Sequence, residues 1–133
     1  MIVFEFFSGV GGIHQALIKN NIPIKGIFPY DINPNANQTY QHNFNIKPFE
    51  ISLESFSVED YENILKEFNI ETNFNNILWT MSPPCQPFSR QGNIKDLEDD
   101  RTNGFKNLLL ILEKTKYPPN YFFLENVKNF EVI

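Results

Sequence analysis

NILWTMSPPCQPFSRQG, residues 76–92, carries the only cysteine of the chain, held among three prolines. Residues 76–81 are apolar, β-branched and aromatic, and read as a buried strand. Pro83, Pro84 and Pro87 then forbid a helix, because proline fixes its own φ and drives the residue before it out of the α region. Cys85 is therefore expected on a stiff turn just past the carboxyl end of a strand. Open α/β sheets bind ligands at that edge. A lone cysteine is more often a small buried apolar side chain. The proline cage argues the other way, since core thiols sit inside regular elements.

Working outward, IVFEF (residues 2–6) reads as another buried strand, broken by FSGVGG (residues 7–12) and followed by an apolar-periodic helix over 13–18. Strand, glycine-rich turn and helix form either a cofactor loop or a plain tight turn. The glycines let a ligand approach the backbone, and the helix amino end attracts negative charge. The spacing is GxGG rather than GxGxxG, so the dinucleotide signature is not met. KGIFPY (residues 25–30) is a second strand closed by Asp31. An acid about 20 residues past a glycine loop is placed to bind a ribose, and Asp is equally suited to an Asx turn or helix cap. The glycine loop puts the ribose role ahead. Residues 35–44 read as a helix, with His14 and His42 on helix surfaces.

FEISLESF (residues 49–56) is ambiguous, a short third strand and loop, with Glu54 facing either a cofactor or solvent. SVEDYENILKEF (residues 57–68) is a helix. Ser57 and Asp60 approach a capping box, and Val58, Tyr61, Ile64, Leu65 and Phe68 share one apolar face. Residues 71–75 form an Asn-rich linker. Residues 86–103 are polar and aperiodic, a loop of a length that is usually functional. FKNLLLILEK (residues 105–114) is a helix stopped by Pro118 and Pro119, and YFFL (residues 121–124) a buried strand closed by Glu125 and Asn126. Glu125 is either a cap for the next turn or a second chemical group beside Cys85, because neighbouring parallel strands end on one edge.

Composition narrows the classes. A chain of 133 residues is the size of one domain or half of a larger one, and 41% apolar residues with fourteen Phe supply a core rather than disorder. One cysteine excludes an internal disulfide framework, and no CxxC or HExxH spacing suggests a metal. No apolar run is long enough to span a membrane, and the amino terminus lacks the basic flank of a signal peptide, so an intracellular place, cytoplasm or nucleus, is expected. The net charge of −5 is unlike a phosphate-tracking surface. A nucleic-acid partner then requires a basic surface elsewhere.

FxGxGG after the first strand, an acid after the second, PPCQPF after the fourth and ENV after the fifth together resemble the cytosine C5 methyltransferases. SPPCQPFSR, DRTN and LENVKNFE look most like the branch that methylates an anticodon-loop cytosine of aspartate tRNA. The resemblance implies a Rossmann-like, S-adenosylmethionine-dependent α/β fold with a doubly wound, mostly parallel sheet, incomplete at the carboxy terminus. It implies Cys85 as nucleophile towards cytosine C6, Glu125 on the cytosine N3 edge and Asn126 helping to hold that site. The backbone of Phe7, Gly9, Val10, Gly11 and Gly12 would face the methionine part of the cofactor. Asp31 would take the ribose hydroxyls, Ile32 would pack on adenine, Glu54 would meet the adenine amino group and Pro84 would line the cofactor side of the thiol.

The chain departs from the family pattern by stopping just after ENV. The later arginine-containing motif and the target-recognition region are absent, and so is the carboxy-terminal segment that completes the cofactor pocket. Residues 1–133 are therefore expected to be the amino-terminal part of a catalytic domain, with an exposed sheet edge, weak cofactor binding and no turnover alone. Three readings follow: a tRNA cytosine C5 methyltransferase, a DNA cytosine C5 methyltransferase, and a silent cofactor- or nucleic-acid-binding module that keeps the fold. The product of the reaction in the first two would be S-adenosylhomocysteine.

Overall fold

Four apolar runs become strands in the computed structural model, which describes residues 1–69, 76–84 and 102–128. They are β1 (Ile2–Phe6), β2 (Gly26–Tyr30), β3 (Ile77–Met81) and β4 (Tyr121–Leu124). All pair in parallel in the order β2-β1-β3-β4. Phe6 lies opposite both Tyr30 and Met81, and Met81 opposite Leu124. The four carboxyl ends are thus level, so the next residues, Phe7, Asp31, Ser82 and Glu125, emerge along one edge.

Between the strands run the helices α1 (Gly12–Lys19), α2 (Pro34–Phe44), α3 (Val58–Lys66) and α4 (Asn103–Lys114), with α2 and α3 both in the connection from β2 to β3. Their starts follow local chemistry. Asn33 caps α2 by accepting from the Asn35 and Ala36 N–H groups, with Pro34 in the first turn, where its missing N–H is harmless. Ser57 and Asp60 form the reciprocal capping box of α3, each accepting from the other's backbone at 3.0 Å.

The two faces of β1 point to different layers. Ile2, Phe4 and Phe6 join Trp79 of β3, Phe56, Tyr61 and Leu65, and Leu108 and Ile111 of α4 in the main apolar core. Phe6 and Tyr61 each meet Trp79 edge-on, with ring centroids 5.1 Å apart. Val3 and Glu5 point the other way, where Glu5 faces His14 of α1 and Tyr40 of α2. Helices therefore cover both faces, which makes the sheet doubly wound.

Three expectations are corrected. Residues 49–56 hold no third strand. Phe49 makes one isolated parallel bridge to Tyr30, and a 3-10 helix, Leu53–Ser55, follows. Its serines turn the backbone on itself, since Ser52 Oγ accepts from the Glu54 N–H and Ser55 Oγ donates to the Ser52 carbonyl. His14 is buried rather than on the surface; its ring stacks on Phe44 with centroids 4.1 Å apart. His42 is exposed. β4 is not buried either, for each of its side chains is 37–53% exposed. It is an edge strand of the described sheet, with an apolar sequence that the described residues do not cover. The linker at 71–75 and the polar loop at 86–101 lie outside the described residues.

Candidate functional site

The level strand ends set out the site. After β1 the chain turns through Phe7 (φ 57°), Gly9 (φ 56°) and Gly11 (φ 94°), three left-handed residues within five. Glycine is required at Gly11, where a Cβ would run into the rings of Phe44 and Tyr40 besides meeting a strained φ. Phe7 holds the same region with a bulky side chain, which is a strained conformation of the kind found at functional sites.

Asp31 ties this loop to β2. Its Oδ2 accepts from the Gly9 N–H at 2.8 Å and its Oδ1 from the Asn33 N–H at 2.8 Å. The Asn37 side-chain amide donates to the Asp31 carbonyl at 2.9 Å and to Glu50 Oε1 at 3.0 Å. Among the described residues each carboxylate oxygen accepts this one bond, and a carboxylate oxygen can accept two.

Together the strand ends enclose a cavity of about 500 Å³, within the range of small-molecule sites. Phe7, Gly9, Asp31, Ile32, Glu54 and Pro84, all expected from the sequence, line it. Val10, Gly11 and Gly12 do not; Gly11 is buried at the start of α1, while Val10 is 56% exposed. The sequence reading missed Ile51, Ser52, Leu53, Ser82 and Gly104, which also line it. Ser82 was legible as the residue following β3. The others were hidden because the 3-10 turn and the first turn of α4 meet only in three dimensions.

The lining has two characters. Ile32 and Ile51 are large apolar side chains left 67% and 42% exposed at the rim, a surface that a flat apolar ligand would cover. Asp31, Glu54 and Ser82 supply polar groups. A nucleoside with a polar tail fits both characters. Among the described residues, no three His, Cys, Asp or Glu side chains gather to hold a metal.

Beneath the loop lies a buried polar cluster. Glu5 is 1% exposed, and neither carboxyl oxygen closes a hydrogen bond among the described residues. The His14 backbone N–H and the Tyr40 hydroxyl face it without closing a full hydrogen bond, so burial dominates and pushes the carboxyl up to about 8. His14 Nδ1 and the Tyr40 hydroxyl are 2.8 Å apart. Burial lowers the His14 pKa and, together with neighbouring Glu5, raises that of Tyr40.

At the other end of the edge, the Glu125 backbone N–H donates to the Met81 carbonyl at 2.9 Å, and its side chain is exposed. The Asn126 side-chain amide donates to the Pro83 carbonyl at 3.2 Å, and its Oδ1 accepts from the Val127 N–H at 2.7 Å. Asn126 thereby ties the turn after β4 to the proline turn after β3. Cys85 lies outside the described residues; the described chain ends one residue before it, at the cavity-lining Pro84.

A family model of C-5 cytosine-specific DNA methylases matches residues 1–131. A Dictyostelium discoideum protein named DNA (cytosine-5)-methyltransferase is 44% identical over 128 residues, covering 96% of this chain and 31% of the relative. A mouse protein named tRNA (cytosine(38)-C(5))-methyltransferase is 42% identical over 131 residues, covering 98% of this chain and 29% of its own length. The solved structure of the S. pombe Dnmt2 methyltransferase superposes with a TM-score of 0.78 at 38% identity, over 99% of this chain and 38% of that one. The Entamoeba histolytica methyltransferase EhMeth superposes with a TM-score of 0.83 at 33% identity, over 99% and 39%. The chain thus spans about a third of the length of the curated relatives it matches. With the glycine loop, the acid after β2 and the proline turn on one edge of a parallel sheet, and with that match along nearly all its length, the chain belongs to the C-5 cytosine-specific DNA methylase family.

Proposed function

We propose that this chain forms the cofactor-binding and nucleophile-bearing part of an S-adenosylmethionine-dependent cytosine C5 methyltransferase acting on transfer RNA. The observation that carries the reading is the cavity at the level strand ends, lined by Asp31 and Pro84 and leading in sequence directly to Cys85. Bound there, S-adenosylmethionine would supply the electrophilic sulfonium methyl that cytosine C5 accepts. The remaining chemistry belongs to the chain.

Cytosine C5 is a poor nucleophile until a thiolate adds to C6. Cys85 makes that bond, and Glu125 supports protonation at N3 as the ring takes up the electron pair. C5 then carries enamine character and accepts the methyl. Loss of the C5 proton to a base and departure of the thiolate restore the aromatic ring. The thiolate leaves as it came, so the cycle is covalent catalysis that splits one hard step into easier ones. Asn126 holds the Glu125 turn against the proline turn through its bond to the Pro83 carbonyl. In the cavity, the carboxylate of Asp31 suits ribose hydroxyls, Ile32 suits the adenine face, and Glu54 suits the exocyclic amino group. The backbone of Phe7 and Gly9 at the cavity suits the methionine end, and Val10, Gly11 and Gly12 shape the loop that holds it without lining the cavity. The target base must leave its stack to reach Cys85, which a single-stranded loop concedes more cheaply than a duplex.

Relatives named as tRNA methyltransferases in mouse and fission yeast, 42% and 39% identical, support the tRNA substrate. The 44% identical relative named a DNA methyltransferase favours duplex DNA as the second reading. Labelled methyl transfer by the longest natural polypeptide carrying these residues separates the two, with tRNA and duplex DNA offered side by side and Cys85→Ala as control. Label in tRNA alone supports the first reading, and label in DNA alone promotes the second. Label in neither, with S-adenosylhomocysteine still bound, means a silent module. Transfer that survives Cys85→Ala removes Cys85 as nucleophile.

A further inference from the structure

From the packing of α4 on the 3-10 turn, we infer that Asn107 is a positioning residue that sets the adenine-side wall of the cavity. The inference rests on the cofactor reading above. Asn107 lies on α4, one turn after Gly104. Its side-chain amide spends both hydrogens on the wall, one on the Leu53 carbonyl at 2.6 Å and one on the Phe56 carbonyl at 2.7 Å. These carbonyls flank the segment that carries Glu54, and both Leu53 and Glu54 line the cavity. A three-residue 3-10 helix has poor intrinsic hydrogen bonding; here the closing Phe56 N–H to Leu53 carbonyl bond is 3.4 Å long. The segment therefore takes its position from α4 rather than from itself.

Gly104 completes the arrangement. A Cβ at Gly104 would stand 3.2 Å from Leu53 Cβ, tighter than ordinary contact. The missing side chain lets the wall approach α4, and the Asn107 amide, one turn on, locks it there. Asparagine suits the task because one planar NH₂ group presents two donors at a fixed spread, matching two carbonyls. Serine offers one donor, and aspartate would place acceptors against acceptors.

The consequence is selectivity. Glu54 can tell an adenine amino group from a carbonyl only if its segment is fixed, because a mobile carboxylate adapts to either partner. Calorimetry on the longest natural polypeptide would compare S-adenosylhomocysteine with its inosine analogue, S-inosylhomocysteine, for the native protein and for Asn107→Leu and Asn107→Asp. Native protein should prefer the adenine ligand. Asn107→Leu should lower S-adenosylhomocysteine affinity by roughly tenfold, the scale of losing two modest hydrogen bonds, and bring the ratio of the two affinities towards one. General destabilisation would shift the melting temperature but leave that ratio unchanged. If Asn107→Leu does not fold, Gly104→Ala tests the same wall from its other contact and should narrow the preference. A folded variant with the native ratio overturns the positioning role while leaving the cofactor reading intact. Native protein that binds neither ligand overturns both.

Discussion

Glu5 gives the most quantitative expectation. It is a carboxyl buried inside the sheet that closes no hydrogen bond among the described residues, and burial, outweighing the facing His14 N–H and Tyr40 hydroxyl, carries it from an ordinary 4.5 to about 8. An acid whose folded pKa exceeds its unfolded one holds more protons folded than unfolded, so its ionisation withdraws stability as pH rises. The loss begins near pH 4.5, where the unfolded chain starts to ionise, and is complete near pH 8, where the folded one follows. At about 1.4 kcal/mol per pKa unit, the window is worth up to about 5 kcal/mol. That is comparable with the whole stability of a small domain. Glu5→Gln keeps the shape and removes the charge. Urea titrations of native and variant protein at pH 5 and pH 8.5 should show the variant gaining several kcal/mol relative to native at the higher pH. His14 contributes with the opposite sign, since a histidine buried neutral loses stability as pH falls through its ordinary range, but it is common to both proteins and cancels in the difference. A native-minus-variant difference that is the same at both pH values would refute the argument that burial raises the Glu5 pKa.

Trp79→Ala should destabilise the fold by about 3–5 kcal/mol in the same assay, because the indole is fully buried between Phe6 and Tyr61. Gly11→Ala and Gly9→Ala should separate in thermal melts. Both meet a left-handed φ worth about 1–3 kcal/mol, but only the Gly11 Cβ also strikes the Phe44 and Tyr40 rings, so Gly11→Ala should melt lower. Asp31→Ala removes the acceptor of the Gly9 and Asn33 N–H groups along with the proposed ribose contact, and S-adenosylhomocysteine affinity should fall by about tenfold or more in calorimetry. Unchanged affinity would put the ribose elsewhere.

What was legible in the sequence was local. The strand at 2–6, the glycine turn and the Ser57–Asp60 box depend on residues within one turn of each other, and each is where its pattern put it. Phe7, Gly9, Asp31, Ile32 and Pro84 line the cavity because parallel strands with level ends must deliver them to one edge, while Glu54 reaches it from the 3-10 turn. What was illegible was non-local. His14 looks like a surface histidine until α2 brings Tyr40 and Phe44 onto it from 26 and 30 positions away. Asn107 looks like a polar residue on a helix until its amide meets carbonyls more than 50 positions upstream. The run at 121–124 reads as a buried strand from its apolar residues alone, yet its side chains are exposed, because apolar composition does not say whether a strand lies inside a sheet or at its edge.

The strand order has a consequence during synthesis. β1 is made first, yet it sits inside the sheet, hydrogen-bonded on one side to β2 and on the other to β3, with Ile2 opposite Ile77. At about 5–20 residues per second, the chain waits several seconds between making the first strand and making its second neighbour. Through that interval Phe4 and Phe6 have neither Trp79 nor the helix that carries Leu108 to close over them. The nascent chain therefore carries an unpaired, phenylalanine-rich strand edge for longer than many small domains take to fold, and the passage of residue 81 marks the earliest moment at which the sheet can close around it.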